Sequence, residues 1–185
     1  MDPIQTRWFR LFIQSSLVIN YNKMYTREQF WKSASNEVRI IKHLATRIPE
    51  GMEDYRPSPA QRSTLELLQY LSATGMTTFK VMLTENKNSH EDYVSFKESV
   101  TVLNFAEKMN EQEQEMKAMF EKLSDEDLTK EFDYYGNRTK AEHLIEGILK
   151  TFAAYRMQLF LYVKACGALV NTMDVWAGIN NLEKE

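Results

Sequence analysis

The sequence contains little cysteine, proline or glycine. Cys166 is the single cysteine among 185 residues, which excludes an internal disulfide and favours a reducing compartment such as the cytoplasm. Four prolines and six glycines leave long stretches without a residue that interrupts helices. These scarcities predict a helical cytoplasmic protein.

The chain also lacks a basic excess and a long apolar run. Its formal net charge is -3 and its pI is about 5.7, which argues against nucleic-acid binding. The apolar run at residues 8–19 is interrupted by Arg10 and Gln14, whereas a membrane span needs about 20 mostly apolar residues. No membrane partner is expected. We interpret residues 1–23 as an N-terminal extension or a short amphipathic helix, and residues 24–185 as one domain.

Capping boxes are a prominent signal in the sequence. Serine or threonine is followed three residues later by glutamate or glutamine at Thr26–Gln29, Ser63–Glu66 and Thr139–Glu142. Each pair precedes apolar residues at three- and four-residue spacing, which is typical of one helix face. A further amphipathic helix is predicted over residues 100–123. The sequence therefore predicts four long helices.

The predicted inward-facing residues of these helices are spaced to meet in one core. They are Phe30, Ala34, Val38, Ile41, Leu44 and Ile48 in the first helix; Leu65, Leu68, Leu71, Phe79, Met82 and Leu83 in the second; Leu103, Ala106, Met109, Met116, Met119, Phe120 and Leu123 in the third; and Leu144, Ile148, Phe152, Tyr155, Leu159 and Val163 in the fourth. A long polar connection at residues 85–100 joins the second and third helices. This arrangement predicts an all-α, up-down four-helix bundle.

Smaller features complete this picture. Gly75 inside the second helix indicates close packing or a local bend. Phe132 and Tyr134 indicate a short extended piece before a turn at Gly136. After the last helix ends near Gly167, Val175 and Trp176 are expected to anchor the C-terminal tail on the bundle.

Two blocks of sequence resemble the DinB / YfiT-like family of small bacterial four-helix bundles. The first is IPEGMEDYRPSPAQRSTLELLQYL at residues 48–71, and the second is AYRMQLFLYVKACG at residues 154–167. Arg156, Gln158 and Leu159 fit the family's His-Arg-Gly-Gln-Leu motif. The resemblance covers residues 24 to about 167 and implies the same bundle fold.

The resemblance also indicates which positions of this chain match the metal-binding positions of the family. Many family members hold one divalent metal through three histidines, two of them four residues apart on the last helix, and some branches use it for thiol transfer or hydrolysis. The matching positions are Tyr70, Thr151 and Tyr155 in this chain. Neutral phenols and hydroxyls are weak ligands for Zn or Ni. We therefore expect neither the usual metal site nor any other cofactor.

Two interpretations of Tyr70, Thr151 and Tyr155 stay open at this point. Their hydroxyls could fill the former metal pocket and hydrogen-bond one another, or they could line a pocket for a small ligand, with Glu66 and Arg156 at its edge. The expected protein is then a non-catalytic or ligand-binding member of the family, and a homodimer is plausible. The alternative is a thiol S-transferase or hydrolase with a relocated site for one divalent metal such as Zn, Ni or Fe.

The remaining reactive side chains are expected to be structural. No two of His43, His90 and His143 share a ligand spacing, so we expect surface or boundary positions for all three. Cys166 lies near a helix C-terminus, where the helix dipole raises a thiol pKa. It is interpreted as a small core residue.

Overall fold

The structure of the protein is a computed structural model that describes residues 25–180. The extension predicted at residues 1–23 lies outside the described residues. The elements, in chain order, are α1 (Arg27–Ala45), α2 (Thr64–Thr84), a 3-10 turn (Ser89–Tyr93), α3 (Val94–Glu98), α4 (Phe105–Glu121), α5 (Asp125–Thr129), β1 (Glu131–Asp133), β2 (Asn137–Thr139), α6 (Lys140–Leu144), a π-helical segment (Ile145–Lys150), α7 (Thr151–Ala165) and α8 (Thr172–Ala177).

The segment from α6 to α7 forms one continuous helix. Leu144, Ile145, Lys150 and Thr151, which flank its internal boundaries, all have right-handed helical backbone angles. We call residues 140–165 the last long helix. Its predicted end is confirmed, because α7 stops at Ala165 and Gly167 follows with a positive φ of 90°.

The predicted all-α four-helix bundle is confirmed. Its long helices are α1, α2, α4 and the last long helix, and α2 packs directly against both α4 and the last long helix. Residues of α1 reach the same two neighbours, through a Ser35–Glu113 hydrogen bond to α4 and a charge contact between Glu37 and Arg156. Fully buried apolar side chains fill the space between the helices, among them Val38, Leu68, Phe79, Met109, Ile148 and Phe152.

By internal contacts the chain divides into two units, residues 1–32 and residues 33–185, with the division inside α1. In the first unit, the described residues contain the start of α1 and its capping box. There the Gln29 amide donates to Thr26 Oγ1 at 3.1 Å, and Gln29 Oε1 accepts from the Thr26 amide at 2.8 Å. The site described below lies within the second unit.

The other predicted caps are also confirmed. Complete capping boxes begin α2 at Ser63 and α6 at Thr139, and the shorter α5 has one at Ser124. These side chains satisfy backbone N–H groups that have no partner in the first turn of a helix. Local sequence therefore fixes where these elements begin.

Gly75 lies where α2 meets α4 and the last long helix. A Cβ at this position would collide with Met116 and crowd Gln112 and Phe152. Gln112 is fully buried: its Oε1 accepts from the Gly75 amide at 2.8 Å, and its Nε2 donates to the Leu71 carbonyl at 2.9 Å. The close packing predicted at Gly75 is confirmed.

Several predicted burial positions are wrong. Leu103 is 97% exposed, and Ala106 is also exposed, because Asn104 forms a turn with Ser99 and Thr101 and delays the start of α4 until Phe105. Leu83 is exposed in the last turn of α2.

The tail after the last long helix is only partly anchored. Val175 is buried as predicted. Trp176 is 62% exposed, so the prediction that it is buried against the bundle is wrong. The Trp176 ring instead lies beside the Arg156 guanidinium, 5.2 Å from ring centre to Cζ. Within the described residues, helices long and apolar enough to cross a bilayer do not occur.

Candidate ligand-binding site

A cavity of about 500 Å³ opens on the side of α2 that faces the last long helix. The wall from α2 carries Tyr70, Thr74, Thr77 and Thr78. These positions lie four, three and one residue apart, so they form one stripe on the helix surface. Because threonine hydroxyls can both donate and accept hydrogen bonds, this wall is polar although it belongs to a core helix.

Glu146 and Gly147 of the π-helical segment and Thr151, the first residue of α7, form another wall of the cavity. Gly147 packs so closely on Thr78 that a Cβ there would overlap the threonine side chain. Thr78 Oγ1 is 3.3 Å from the Gly147 carbonyl, and Thr151 Oγ1 donates to the Glu146 carbonyl at 3.0 Å. π-Helical turns often occur at functional sites, and sequence periodicity carries no signal for them.

The structure brings two of the three predicted site residues to the cavity. Tyr70 and Thr151 both line it. Tyr155 packs against Tyr70, with ring centres 4.7 Å apart, and does not contribute to the cavity wall. The Thr151 hydroxyl donates a hydrogen bond to the Glu146 carbonyl. It therefore takes no part in the mutual hydrogen bonding predicted for the three hydroxyl groups.

Burial raises the pKa of Tyr70, an effect partly offset by a hydrogen bond from Thr74. Burial likewise raises the pKa of Tyr93, another residue of the cavity wall, and its phenol donates to Glu115 at 2.6 Å. Both phenols therefore stay protonated at neutral pH and can act as hydrogen-bond donors or acceptors.

A second cavity, of about 390 Å³, adjoins the first. Tyr70 and Lys97 line both cavities, so these two side chains mark the junction. Glu66, predicted at the edge of a pocket, lines this second cavity with Arg56 and Arg62. The Ser63 amide, to which it is hydrogen-bonded, lowers the pKa of Glu66 most, and Arg56 contributes from 3.4 Å.

Arg156 lies elsewhere and lines neither of these cavities. Its side chain is 7% exposed, and its Nε is 3.2 Å from Glu37 Oε2, a charge contact without hydrogen-bond geometry. Burial raises the pKa of Glu37, and the Arg156 charge opposes that rise. The second motif residue singled out in the sequence, Gln158, donates to the Tyr162 phenol, which donates in turn to the Arg62 carbonyl at 3.0 Å.

The prediction of surface or boundary histidines is wrong for His143. This residue is 4% exposed, and the edges of Phe132 and Tyr134 enclose its ring. Its Nε2 is 3.1 Å from the Thr78 carbonyl, and burial lowers its pKa. The ring is therefore neutral, with Nε2 as the donor.

The other histidines and the cysteine have different surroundings. His90 is exposed at the cavity wall, in agreement with a surface position. His43 is partly buried, and its Nε2 is hydrogen-bonded to Oδ1 of the fully buried Asp174 at 2.8 Å. Cys166 is only half-buried rather than in the core, and burial raises its thiol pKa.

Sequence reasoning missed the cationic side chains around these cavities. Arg62 immediately precedes the Ser63 cap, and Lys97 lies in a polar connection without helical periodicity. The hairpin places Arg138 opposite Phe132, and Arg138 pairs with Glu146 at 2.8 Å. The conspicuous aromatic and basic content of the loops is the signal that could have found them.

The bundle and its cavities define the class of protein: an all-α four-helix bundle with a side pocket lined by aromatic rings and hydroxyl groups. Among solved structures, the chain is similar to a crystal structure of a DinB-like protein from Bacillus subtilis. The two share 19% identity with a TM-score of 0.65, and the match covers 77% of this chain and 94% of that one. The chain therefore has a DinB-like fold. No family model and no curated protein matches the sequence.

The residues at the family's metal-binding positions do not fit a divalent metal. Tyr70 is held protonated by burial, Thr151 donates its hydroxyl proton to a backbone carbonyl, and Tyr155 packs on Tyr70. A protonated phenol or an alcohol offers no anionic ligand atom. Elsewhere in residues 25–180, no group of three or more His, Cys, Asp or Glu side chains is placed to share an ion.

Proposed function

We propose that the protein is a DinB-like small-molecule-binding protein that is not a metal-dependent enzyme. The observation that carries this proposal is the 500 Å³ cavity beside Tyr70 and Thr151. Ligand pockets typically enclose about 300–1,000 Å³ and combine apolar walls with a few polar groups. This cavity combines aromatic rings with the three threonine hydroxyls of α2.

The state of the titratable groups supports binding rather than proton transfer. His143 is neutral, and its Nε2 faces the Thr78 carbonyl, so that nitrogen is not free to accept a proton. Lys150 lowers the pKa of Glu146 most, and Arg138 holds its other oxygen at 2.8 Å. A general base needs a free acceptor and a pKa near the working pH. The Nε2 of His143 has no free acceptor position, and both oxygens of Glu146 are held by cations that also lower its pKa.

Ligand-observed NMR on a fragment library tests the proposal. In the Thr77→Trp variant, an indole ring on the α2 wall fills the cavity, and Thr129→Trp places the same ring at an exposed position of α5 outside it. We expect fragments whose saturation-transfer signal survives in Thr129→Trp and is lost in Thr77→Trp. A library without any fragment that distinguishes the two variants would contradict small-molecule binding at this cavity.

The absence of a catalytic metal is part of the same proposal. After purification without chelator or a nickel column, we expect metal analysis to find less than about 0.1 equivalent of Zn, Ni or Fe, since Tyr70, Thr151 and Tyr155 provide no anionic ligand. Stoichiometric metal that disappears in Tyr155→Phe would instead establish the alternative, a metal-dependent thiol S-transferase or hydrolase.

Two expectations about macromolecular partners stay predictions. A homodimer is supported by the exposed apolar side chains Met157 and Leu161 on α7, and sedimentation at several concentrations tests it. The acidic pI still argues against nucleic acid, and a salt-sensitive gel shift would contradict that expectation.

A further inference from the structure

The two cavities meet at Tyr70 and Lys97 and differ in character. The first is lined mainly by rings and hydroxyls. The second contains the cations Arg56, Arg62 and Lys97, with Glu66 as a carboxylate in its wall. A molecule that spans the junction would therefore meet hydrogen-bonding groups at one end and cations at the other.

Most charges around the two cavities are already paired. Arg138 contacts Glu146 at 2.8 Å in the first cavity, and Arg56 contacts Glu66 at 3.4 Å in the second. Lys97 is half-buried, and its ammonium makes no hydrogen bond or ion pair with any other residue between 25 and 180. The junction thus carries cationic charge that the chain itself does not neutralise.

Arg62 adds a further cation, which lines the second cavity and whose charge also lowers the pKa of Glu66. The Cζ of Arg62 is 4.3 Å from the centre of the Tyr70 ring and 5.8 Å from that of Tyr155, so the guanidinium packs over the Tyr70 ring beside Tyr155. Its carbonyl accepts the Tyr162 hydrogen bond at 3.0 Å. A stacked guanidinium keeps its N–H groups in plane for an oxyanion.

A local positive charge on an acidic protein favours the binding of anions at that place. The whole chain has a formal net charge of -3, so the cations at the junction form a local positive site on a protein that is negative overall. Lys97 and Arg62 supply the two kinds of donor, a point charge and a rigid fork, that together bind carboxylates and phosphates in proteins.

We propose that the site takes a small organic anion, with its carboxylate or phosphate between Lys97 and Arg62 and its uncharged, ring-bearing part in the cavity lined by the α2 threonines. The inference rests on the proposed small-molecule-binding function and names the class of ligand. The cations hold the acidic group, and the Tyr70 ring separates it from the hydroxyl-lined wall.

Three matched probes test the inference: phenylacetate, phenyl phosphate and the neutral phenylacetamide. Titrations followed in ¹H–¹⁵N spectra give the dissociation constant of each probe for the full chain. We expect both anions to bind at least about tenfold more tightly than the amide, because charge-assisted hydrogen bonds are about twice as strong as neutral ones. Tighter binding of phenyl phosphate would identify a phosphate ligand, and tighter binding of phenylacetate a carboxylate.

Charge-removing variants locate the effect. Lys97→Gln and Arg62→Gln are each expected to weaken binding of the anions about tenfold and to change binding of the amide less than twofold. Lys97→Arg retains the charge and should retain most of the affinity. The control is Lys117→Gln, which removes an exposed cation of α4 outside both cavities and should change none of the three constants.

The failures of the two proposals are distinguishable. Equal affinity for acid and amide, or no effect of Lys97→Gln and Arg62→Gln, would overturn the anion inference while leaving a small-molecule cavity. No shift of the cavity amides with any of the three probes would contradict the small-molecule-binding function and the anion inference with it.

Discussion

At the scale of single residues, Gly75 is a position where two helices of the bundle approach too closely to leave room for a side chain. Gly75→Ala would add helix propensity of about 1 kcal/mol. It would also place a methyl group into Met116 and displace Gln112 from its hydrogen bond with the Gly75 amide. Overpacking costs about 1–3 kcal/mol, and the lost hydrogen bond costs about 1 kcal/mol, which offsets the gain in helix propensity. We therefore predict a net loss of about 1–3 kcal/mol in the free energy of unfolding, measured in urea. An unchanged or increased stability would contradict this prediction and show that the side chains of α4 can move to make room for the methyl group.

His143 makes stability depend on pH. Its pKa in the folded state is lowered by burial, so the unfolded chain binds more protons as pH falls through the ordinary histidine pKa of about 6.5. The contribution of neutral His143 is therefore complete above pH 7 and is progressively lost below about pH 6.5.

We predict that wild type loses more stability between pH 7.5 and pH 5.5 than His143→Gln does, as measured by urea unfolding at both values. The control is His90→Gln, which removes the exposed histidine and should leave the pH dependence of wild type unchanged. Parallel pH dependences of wild type and His143→Gln would refute the burial argument.

At the scale of elements, the sequence predicts helix starts well because caps are local. Thr26, Ser63, Ser124 and Thr139 each bond to a residue three positions along, so the signal and the structure share the same few residues. The π-helical segment contains Gly147, which packs closely on Thr78 from a distant part of the sequence, and no local pattern predicts this segment.

At this scale we predict the effect of removing the helix cap at Ser63. Ser63→Ala removes the acceptor for the Glu66 amide, which lies 3.2 Å from Ser63 Oγ, at a position that is 2% exposed. We predict a loss of about 1–2 kcal/mol in the free energy of unfolding. Ser95→Ala, at an exposed position in the short α3, is the matched control and should cost less than about 0.5 kcal/mol. Equal effects of the two substitutions would count against the cap.

At the scale of the whole molecule, the fold followed from the sequence more fully than the site did. Helical periodicity and the two motif blocks predicted the bundle. They also placed Tyr70 and Thr151, which line the cavity, but they placed Arg156 at a pocket edge where the structure has a Glu37 contact. Arg62 and Lys97 lie in loop and short-helix segments whose positions depend on tertiary packing. Sequence patterns therefore could not predict that these residues and Tyr70 line the same cavity.

The central claim is that a small molecule binds in the cavity between α2 and the last long helix. Chemical-shift mapping in ¹H–¹⁵N spectra, using a fragment selected by the Thr77→Trp comparison, tests it most directly. The account predicts that the largest shifts fall on the amides of Thr74, Thr77, Thr78 and Gly147. Shifts confined to the exposed Trp176 and its neighbours, with the α2 amides unmoved, would contradict it.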